Sequence, residues 1–550
     1  MKKNHYFLKA ILGAAAALII FLVVVLEPLS FGVTDYFKMF GMPFTHKRFL
    51  VILQNDAELR PTGGFITSYA IVNFDHGLPT GFEMKDVYFG VDEHEYIKPP
   101  YPLGELLASE YYNGYTFRDA NFNPDFPEAV QDLLKIYKMT DSETRFDGVF
   151  AVNYSLLEDA LRVLGTVRMG DMELSHWNVF EELEYYVSNI DRHNVDQLKN
   201  RKGVLKDLAN KVLKKALLSP LKYRALSKLI TTGLEKKNVL MWFANHENEY
   251  EGSFPDEVEG DFFAFNSANY GGMKTDRYLR RDIRYFVTID RDNGGYDLTA
   301  DVNIEILHTG GNNTPLSGDY SGYVRAFLPL EAKLLSYSDT PYYEENDDFL
   351  VLGEIVELKP GESKELHYSY ELPPATFDGE NYHLRLQKQS GANDHYSVYV
   401  RTPDGTTIVS PEGNFVVREN TAYFDDMLEK DLDLWLAVLP DKFGPRLVYQ
   451  DFLDSSTIVL HFNEDLPSSA ATDPLNYSIH DLNYNVPDTD QKIEIYNITH
   501  QGSGVFIHLK EPVYQEEEHF AVEIKNVYDL SGNFVEPNPK LITVVQNFIK

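Results

Sequence analysis

The apolar pattern of the chain begins with one long uncharged segment. Residues 10–26 carry no charged side chain, and about 20 apolar residues cross the ~30 Å hydrocarbon layer of a membrane as a helix. Lysines precede the segment, so the positive-inside rule places the N-terminus in the cytoplasm. We expect residues 1–33 to form a cytoplasmic stub and a single N-terminal transmembrane helix, with the bulk of this single-pass cell-membrane protein extracytoplasmic. A cleaved signal peptide is the alternative, but it needs small residues after the apolar stretch, whereas Gly13–Ala17 come first.

Strands and helices alternate over residues 44–190. Apolar runs bounded by turn residues predict strands, and apolar positions three and four residues apart predict helices. The predicted strands are Arg48–Gln54, Phe65–Phe74, Gly81–Tyr88 and Phe146–Asn153. The predicted helices are Pro127–Tyr137 and Leu156–Leu164, the second with Ser155 as its N-cap and Gly165 at its end. This alternation predicts an N-terminal α/β domain with a mixed sheet.

Residues 191–245 are predicted to form a helical basic insertion. Twelve Lys and Arg side chains lie between residues 199 and 237, against Asp207 and Glu235. One interpretation is a face for anionic lipid head groups or for an anionic polymer. The other is a solvated amphipathic face, because Leu208, Val212 and Leu218 belong to an apolar stripe. The sequence fits both interpretations equally well.

Strand patterns dominate the rest of the chain. Strict alternation in Tyr296–Ile306, just after the turn at Asn293–Gly295, predicts a hairpin with the preceding apolar run. We expect a β-sandwich over residues 246–425. After a break at Leu439–Pro445, evenly spaced short strands predict a second all-β sandwich, of immunoglobulin size, over residues 440–550.

Charge and composition limit the function classes. The formal net charge is −34, which repels nucleic-acid phosphates, so we expect no nucleic-acid partner. The absence of cysteine excludes disulfides, thiolate zinc sites and cysteine nucleophiles. Metal-binding histidine spacings, a serine-hydrolase elbow and a Walker loop are also missing from the sequence.

Motifs between Leu50 and Val167 follow the order of a known family. They are Ile52–Asp56, Arg60 with Thr62–Gly64, Lys85–Tyr88, Arg118–Asn121 and Asp147–Asn153. In this order they resemble the LytR-CpsA-Psr domain of membrane-anchored, extracytoplasmic transferases, which move glycopolymers from a polyprenyl-pyrophosphate lipid to the cell wall. The residues around Arg60 and Arg118 resemble a branch of bacterial envelope proteins that is classed as a domain of unknown function.

Two later segments also carry resemblances. Residues 261–284, with Asn266, Asn269 and Lys274, are similar to part of the same branch. Residues 446–540 resemble bacterial Ig-like modules of surface and S-layer proteins, which implies a spacer or a module that contacts the cell wall.

The LytR-CpsA-Psr resemblance implies a site for a polyprenyl-(pyro)phosphate-linked glycan. In such a site cations hold the phosphates and carboxylates hold Mg²⁺. The implied catalytic residues are Arg60, Lys85 and Arg118; the implied substrate-binding residues are Arg60, Thr62, Gly63, Gly64 and Asn121; the implied Mg²⁺ ligands are Asp56, Asp86 and Asp119. For each charged residue the alternative is an Arg–Asp ion pair that fixes a loop.

Two functions from different classes follow from these features. The first is a membrane-anchored envelope protein that binds the glycan next to the lipid bilayer and transfers it to the cell wall. The second is a surface or adhesion protein that binds the cell wall without catalysis. Lys85 favours the second, because it stands where the family has an arginine and offers phosphate only a point charge.

Overall fold

The computed structural model describes most of the chain after residue 44. The described ranges are 45–76, 78–88, 91, 95–107, 114–188, 195–244, 252–255, 258–292, 295–311, 316–418, 420–482, 492–513 and 519–545. The predicted transmembrane segment, 1–33, lies outside them. Within these ranges, no helix combines the length and the apolar character needed to cross a bilayer.

The N-terminal domain is a mixed α/β unit, as predicted. Its elements in chain order are β1 (His46–Asn55), β2 (Phe65–Asp75), β3 (Leu78–Asp86), α1 (Leu103–Leu106), α2 (Phe126–Thr140), β4 (Gly148–Asn153), α3 (Ser155–Leu164), β5 (Val167–Met169), β6 (Met172–Leu174), α4 (Val179–Ser188), α5 (Val195–Leu217), α6 (Tyr223–Glu235) and β7 (Val239–Phe243). Five strands form one sheet in the order β3-β2-β1-β4-β7. Strand β1 pairs antiparallel with β2 and parallel with β4, so the sheet is mixed.

Apolar spacing explains the central elements of this domain. The buried side chains of α2 recur three and four residues apart, so one face of the helix packs on the sheet: Phe126, Ala129, Val130, Leu133, Ile136 and Tyr137. The glycine that ends α3, Gly165, has φ +80°, a conformation that glycine adopts without the steric penalty of a Cβ.

Two local expectations are corrected by the structure. Ser155 is the first residue of α3 rather than its N-cap, and no side chain of the preceding residue caps the helix. The predicted helical segment 191–245 ends in a strand, because β7 pairs antiparallel with β4 at the edge of the sheet. A run of five residues, Val239–Phe243, is too short for its apolar pattern to distinguish a strand from a helix.

A large sandwich follows the α/β domain. Its strands are β8 (Asp261–Asn269), β9 (Leu279–Asp292), β10 (Gly295–His308), β11 (Tyr320–Pro329), β12 (Lys333–Tyr337), β13 (Tyr342–Glu344), β14 (Phe349–Leu358), β15 (Ser363–Glu371), β16 (Asn381–Gln387), β17 (His395–Arg401), β18 (Thr406–Val409), β19 (Val416–Arg418), β20 (Thr421–Met427) and β21 (Leu432–Pro440). They form two seven-stranded sheets, β12-β15-β10-β9-β17-β20-β19 and β13-β14-β11-β8-β16-β21-β18.

The two sheets share one apolar core, as a sandwich requires. The predicted hairpin is present, with β9 and β10 paired from Asp292↔Gly295 to Leu279↔His308. The sandwich continues to Pro440, beyond the predicted end at residue 425, because β21 lies between β16 and β18.

The C-terminal unit is a smaller sandwich. Its elements are β22 (Leu447–Asp454), β23 (Thr457–Phe462), α7 (Ser468–Ala471), β24 (Tyr477–Asp481), β25 (Lys492–Ile493), β26 (Ile495–Gln501), β27 (Gly504–Leu509), β28 (His519–Ile524) and β29 (Lys540–Val545). Two four-stranded sheets, β22-β23-β27-β26 and β25-β24-β28-β29, enclose a separate core. This unit is a second all-β sandwich, as the sequence predicts for this part of the chain.

The α/β domain and the large sandwich are joined by a common core. Ala268, Tyr270 and Tyr323 of the sandwich lie in the same buried cluster as Leu50, from β1, and α2 side chains. The two units therefore share a buried interface.

Candidate functional site

Several residues predicted to bind substrate form a buried hydrogen-bond network. The Asn121 side-chain amide donates to Gln54 Oε1 (2.9 Å), to Thr62 Oγ1 (3.1 Å) and to the Gly64 carbonyl (2.9 Å). Thr62 Oγ1 donates in turn to Gln54 Oε1 (2.7 Å). Asn121, Thr62 and Gln54 are all buried. These hydrogen bonds hold the turn after β1 against the loop before α2.

Arg60 lies at the centre of the junction with the sandwich. Its guanidinium donates to the carbonyl of Asn269 at the end of β8, and it stacks 4.4 Å from the centre of the Tyr270 ring. It also lies 3.4 Å from Glu58 Oε1 and 3.7 Å from Asp119 Oδ1. Only 2% of Arg60 is exposed. The guanidinium is therefore a clamp between the two units, with little surface left for a phosphate.

The charge of this clamp is stabilised by its neighbours. Burial lowers the pKa of Arg60, but Glu58, Tyr270 and Asp119 outweigh that effect and raise it above its usual value. Lys274 Nζ lies 2.6 Å from the second oxygen of Glu58. A single buried group of ion pairs thus connects segment 58–60 to the sandwich.

The glycines of the turn make the close approach possible. Gly63 has φ +132°, and a Cβ there would lie 2.4 Å from Asn153 Oδ1 and 2.5 Å from Ser390 Oγ. A Cβ on Gly64 would lie 2.4 Å from the backbone of Asn55. Both glycines are needed because neighbouring chain segments pack directly on the turn.

The other implied catalytic residues take part in local ion pairs. Arg118 Nε lies 3.6 Å from Asp119 Oδ2, and its guanidinium lies 5.1 Å from the centre of the Tyr88 ring. Lys85, on edge strand β3, lies 3.6 Å from Glu83 Oε2. Asp86 accepts a hydrogen bond from the backbone N–H of Tyr88 (3.0 Å). For Arg60, Arg118 and Asp119 the structure shows the Arg–Asp pairing that the sequence left open as the alternative.

The implied Mg²⁺ ligands do not fit a shared ion. Asp119 is buried between Arg60 and Arg118 and also accepts from Thr116 Oγ1 (3.2 Å), whereas Asp56 and Asp86 lie apart from it in other contacts. In the described part of the chain, the group of three carboxylates whose oxygens lie within 4.8 Å of one another is formed by Asp441, Glu464 and Asp529, at the C-terminal domain. Asp56, Asp86 and Asp119 therefore do not form one Mg²⁺ site.

An open cleft lies beside the buried junction. Its volume is about 640 Å³, and it is bounded by the end of β1, the start of α3, the start of β9 and the loop before β17. Its charged and polar lining comprises Asp56, Ser155, Glu158, Asp276, Arg277, Arg280, Arg281, Asp282, Asn393 and His395. This volume falls in the range of small-ligand sites, and the lining suits a polar ligand.

Asp56 is the one implied site residue that faces this cleft. Its carboxylate accepts a hydrogen bond from the Ser155 N–H (3.2 Å) and so caps α3 from outside the helix. Burial raises the pKa of Asp56 to about 6, although its hydrogen bonds with Ser155 oppose the rise. No cation pairs with Asp56 among the residues that the structure describes.

The arginines of the cleft differ in how far they are neutralised. Arg281 is buried and pairs with Asp276 and with Asp394. Arg277 donates to Glu158 Oε1 (3.1 Å) and lies 4.1 Å from the centre of the Phe180 ring. Arg280 is exposed and forms no ion pair within the described ranges. It is the cation of the cleft that is free to meet a ligand.

The cleft residues from β9 were missed as site residues in the sequence. Residues 261–284 resemble part of the α/β branch through Asn266, Asn269 and Lys274, and these three residues contact segment 58–61. That resemblance is the one sequence feature that links β8 and the start of β9 to the residues of the α/β domain that line the site. No pattern in the sequence indicates which arginine among Arg277, Arg280 and Arg281 lacks an ionic partner in the described structure.

Comparison with solved structures finds weak likenesses. The N-terminal part of the bacterial S-layer protein SbsC matches with 16% sequence identity and a TM-score of 0.17. The match covers 19% of this chain and 24% of the SbsC chain. An M1 zinc metallopeptidase from Deinococcus radiodurans matches with 14% identity, 34% of this chain, 47% of that chain and a TM-score of 0.19. The Lin1025 protein from Listeria innocua matches with 10% identity, 36% of this chain, 71% of that chain and a TM-score of 0.21. Such low TM-scores do not establish a shared fold.

The extent of these matches also limits what they imply. The chain spans about a quarter or less of the length of the S-layer structures that it matches. No curated protein matches the chain. Residues 45–187, which hold the α/β domain up to α4, match the family described as a protein of unknown function, DUF4012.

Proposed function

We propose that the chain is a membrane-anchored protein of the bacterial cell envelope that binds an envelope glycan without transforming it. The predicted anchor over residues 1–33 holds it at the lipid bilayer, and the ligand occupies the cleft beside Asp56 and Arg280. The proposed ligand is a polyprenyl-(pyro)phosphate-linked glycan. The C-terminal Ig-like domain serves as a spacer or as a contact with the cell wall.

One observation carries the proposal: the open polar cleft lies beside a closed junction. The cleft offers a carboxyl group at Asp56 and a guanidinium at Arg280, neither with an ionic partner in the described chain. A carboxyl group accepts hydrogen bonds from sugar hydroxyls, and a guanidinium binds phosphate in two-point fashion. Arg60, which the sequence implies in phosphate transfer, is buried in structural contacts instead, and Lys85 and Arg118 lie in local ion pairs.

Native mass spectrometry of detergent-extracted, full-length protein tests this function. Wild type is expected to retain a polyprenyl-phosphate-linked glycan, and Arg280→Ala is expected to lose it. Arg284→Ala, four residues along β9 and outside the cleft lining, is the matched control and keeps the ligand. A glycan that is absent from wild type, or present in Arg280→Ala, contradicts the proposal.

Glycan transfer in the same cleft is the second candidate. The raised pKa of Asp56, about 6, favours it, because a carboxyl group that titrates near neutral pH can give and take a proton during a reaction. Release of polyprenyl phosphate from a lipid-linked donor by full-length protein would support transfer. Asp56→Asn should then abolish release while glycan binding persists.

A further inference from the structure

The hairpin formed by α5 and α6 carries an exposed apolar tip. Leu221 is 100% exposed and Leu218 is 71% exposed, and both lie in the turn between the two helices. Leu213, one turn earlier in α5, is also exposed. Exposed leucines are common when scattered singly, but here they lie within nine residues of each other at the tip of one hairpin.

The sequence of this hairpin is basic in a strongly acidic protein. Residues 208–234 contain six Lys and Arg residues and no Asp or Glu, whereas the whole chain has a net charge of −34. The local charge is therefore opposite in sign to that of the molecule. A positive region of this kind attracts an anionic surface over roughly one Debye length, about 10 Å.

Half of the basic side chains are used inside the structure. Lys222 Nζ donates to the carbonyls of Val163 (2.9 Å) and Leu164 (3.0 Å), at the end of α3. Lys211 donates to the Arg168 carbonyl (2.9 Å) and Lys215 to the Thr166 carbonyl. These three lysines hold the hairpin to the rest of the domain, which fixes the direction of its tip.

The other three basic side chains remain available. Lys214, Arg224 and Lys228 are exposed and make no hydrogen bond or ion pair within the described part of the chain. They flank the exposed leucines on both helices. The arrangement of an apolar tip between free cations matches the chemistry of an anionic lipid surface, where leucines enter the head-group layer and cations meet phosphates.

We propose that the α5–α6 tip, Leu213 to Lys228, docks on the surface of an anionic phospholipid membrane. Leu218 and Leu221 enter the interfacial layer, and Lys214, Arg224 and Lys228 contact lipid phosphates. Docking in this way orients the α/β domain against the bilayer. This surface is separate from the cleft, so its test requires no glycan.

The absence of cysteine makes a single-site probe possible. Full-length Leu221→Cys is labelled with an environment-sensitive fluorophore and reconstituted into vesicles that contain a lipid-linked quencher. Vesicles of phosphatidylglycerol with phosphatidylcholine are compared with phosphatidylcholine alone. The expected result is strong quenching in the anionic vesicles, weak quenching in the neutral ones, and loss of quenching at high salt.

Two variants and one control sharpen the measurement. Lys214→Gln and Arg224→Gln, each in the labelled chain, are expected to lower the ratio of docked to undocked tip about fivefold, because a basic side chain near an anionic leaflet contributes about 1 kcal/mol. A label at Leu475→Cys, which is 77% exposed and lies in the C-terminal domain, should not be quenched in either vesicle.

Every other outcome overturns the proposal. Equal quenching in neutral vesicles shows that charge does not drive docking, and no quenching in anionic vesicles shows that the tip stays in water. A signal that changes in detergent with protein concentration indicates a second copy as the occupant. A signal that changes only when soluble polyphosphate is added in detergent indicates an anionic polymer instead of a membrane.

Discussion

Arg60 lies in the closed junction and Asp56 lies in the open cleft, although the two residues are only four positions apart in the sequence. Arg60 is buried, its terminal nitrogens contact Glu58, Asp119 and the Asn269 carbonyl, and it connects the α/β domain to the sandwich. Asp56 faces a space of about 640 Å³ and caps α3 by accepting a hydrogen bond from the Ser155 N–H. Two neighbouring residues that both have the chemistry of a phosphate site can therefore have different roles. Arg60 stabilises the fold, whereas Asp56 lines a binding surface.

The division has a physical basis in how charge is satisfied. A buried guanidinium requires partners within the protein, because leaving it unpaired costs several kcal/mol. Glu58, Asp119 and the Asn269 carbonyl meet that requirement for Arg60. The exposed Arg280 has no such requirement, since water solvates it until a ligand arrives. Substitutions in the junction should therefore lower the stability of the fold, whereas substitutions in the cleft should mainly affect ligand binding.

The largest expected effect is that of Arg60→Ala on the free energy of unfolding. The substitution leaves the Glu58 and Asp119 carboxylates buried near one another without the guanidinium, so we expect a loss of about 3–5 kcal/mol. Denaturant unfolding of the full-length protein in detergent, followed by tryptophan fluorescence, measures it. A variant as stable as wild type would show that Arg60 is not a clamp and would restore it as a ligand-binding residue.

Gly63→Ala should have the next largest effect. The new methyl group would lie within 2.5 Å of Asn153 and Ser390 at a positive φ, so we expect a loss of about 2–3 kcal/mol. Gly413→Ala is the matched control, because Gly413 also has a positive φ, +70°, but no atom lies within 4 Å of its added Cβ. The control should lose about 1 kcal/mol. Equal losses in the two variants would mean that the turn is not tightly packed.

Much of the fold could be predicted because its signals are local. The apolar spacing of α2, the alternation in β10 and the turn before it each identify an element from a few neighbouring residues. The division of the chain into a mixed α/β unit and two sandwiches followed from these elements. Strand β7 was missed because five apolar residues do not reveal their period.

The site was harder to predict because its partners are distant in the chain. Arg60 binds the carbonyl of Asn269, which is 209 residues later, and Gln389 Nε2 donates to the Arg60 carbonyl (3.1 Å) from still further along. A sequence shows the charge of Arg60 but not these contacts. The same limit applies to Arg280, whose value for binding lies in having no partner in the described structure.

A smaller effect is expected from Asp56→Asn, and it should depend on pH. The folded-state pKa of about 6 lies above the usual 3.8, so the folded protein binds this proton more tightly than the unfolded chain. The resulting stabilisation is complete below pH 3.8 and is lost as the pH rises through 6. Asn has no such loss, so the stability of the variant relative to wild type should increase between pH 4 and pH 7, by at most about 3 kcal/mol.

Denaturant unfolding at a series of pH values measures this difference. Asp290→Asn, at an exposed position on β9, is the control for the loss of one carboxylate elsewhere in the chain. A difference between Asp56→Asn and wild type that does not change with pH would show that the Asp56 carboxyl is well solvated in the cleft. The contrast between cleft and junction would then be larger than the structure indicates.

The smallest effect on stability is expected for Arg280→Ala. An exposed arginine without an ion pair in the described chain contributes little to folding, so the free energy of unfolding should stay within about 0.5 kcal/mol of wild type. The same variant is expected to lose the bound glycan, since its guanidinium is the free cation of the cleft. A large loss of stability in Arg280→Ala would place it with Arg60 as part of the architecture. Loss of the ligand without loss of stability would instead show that Arg280 serves binding, whereas Arg60 serves the stability of the fold.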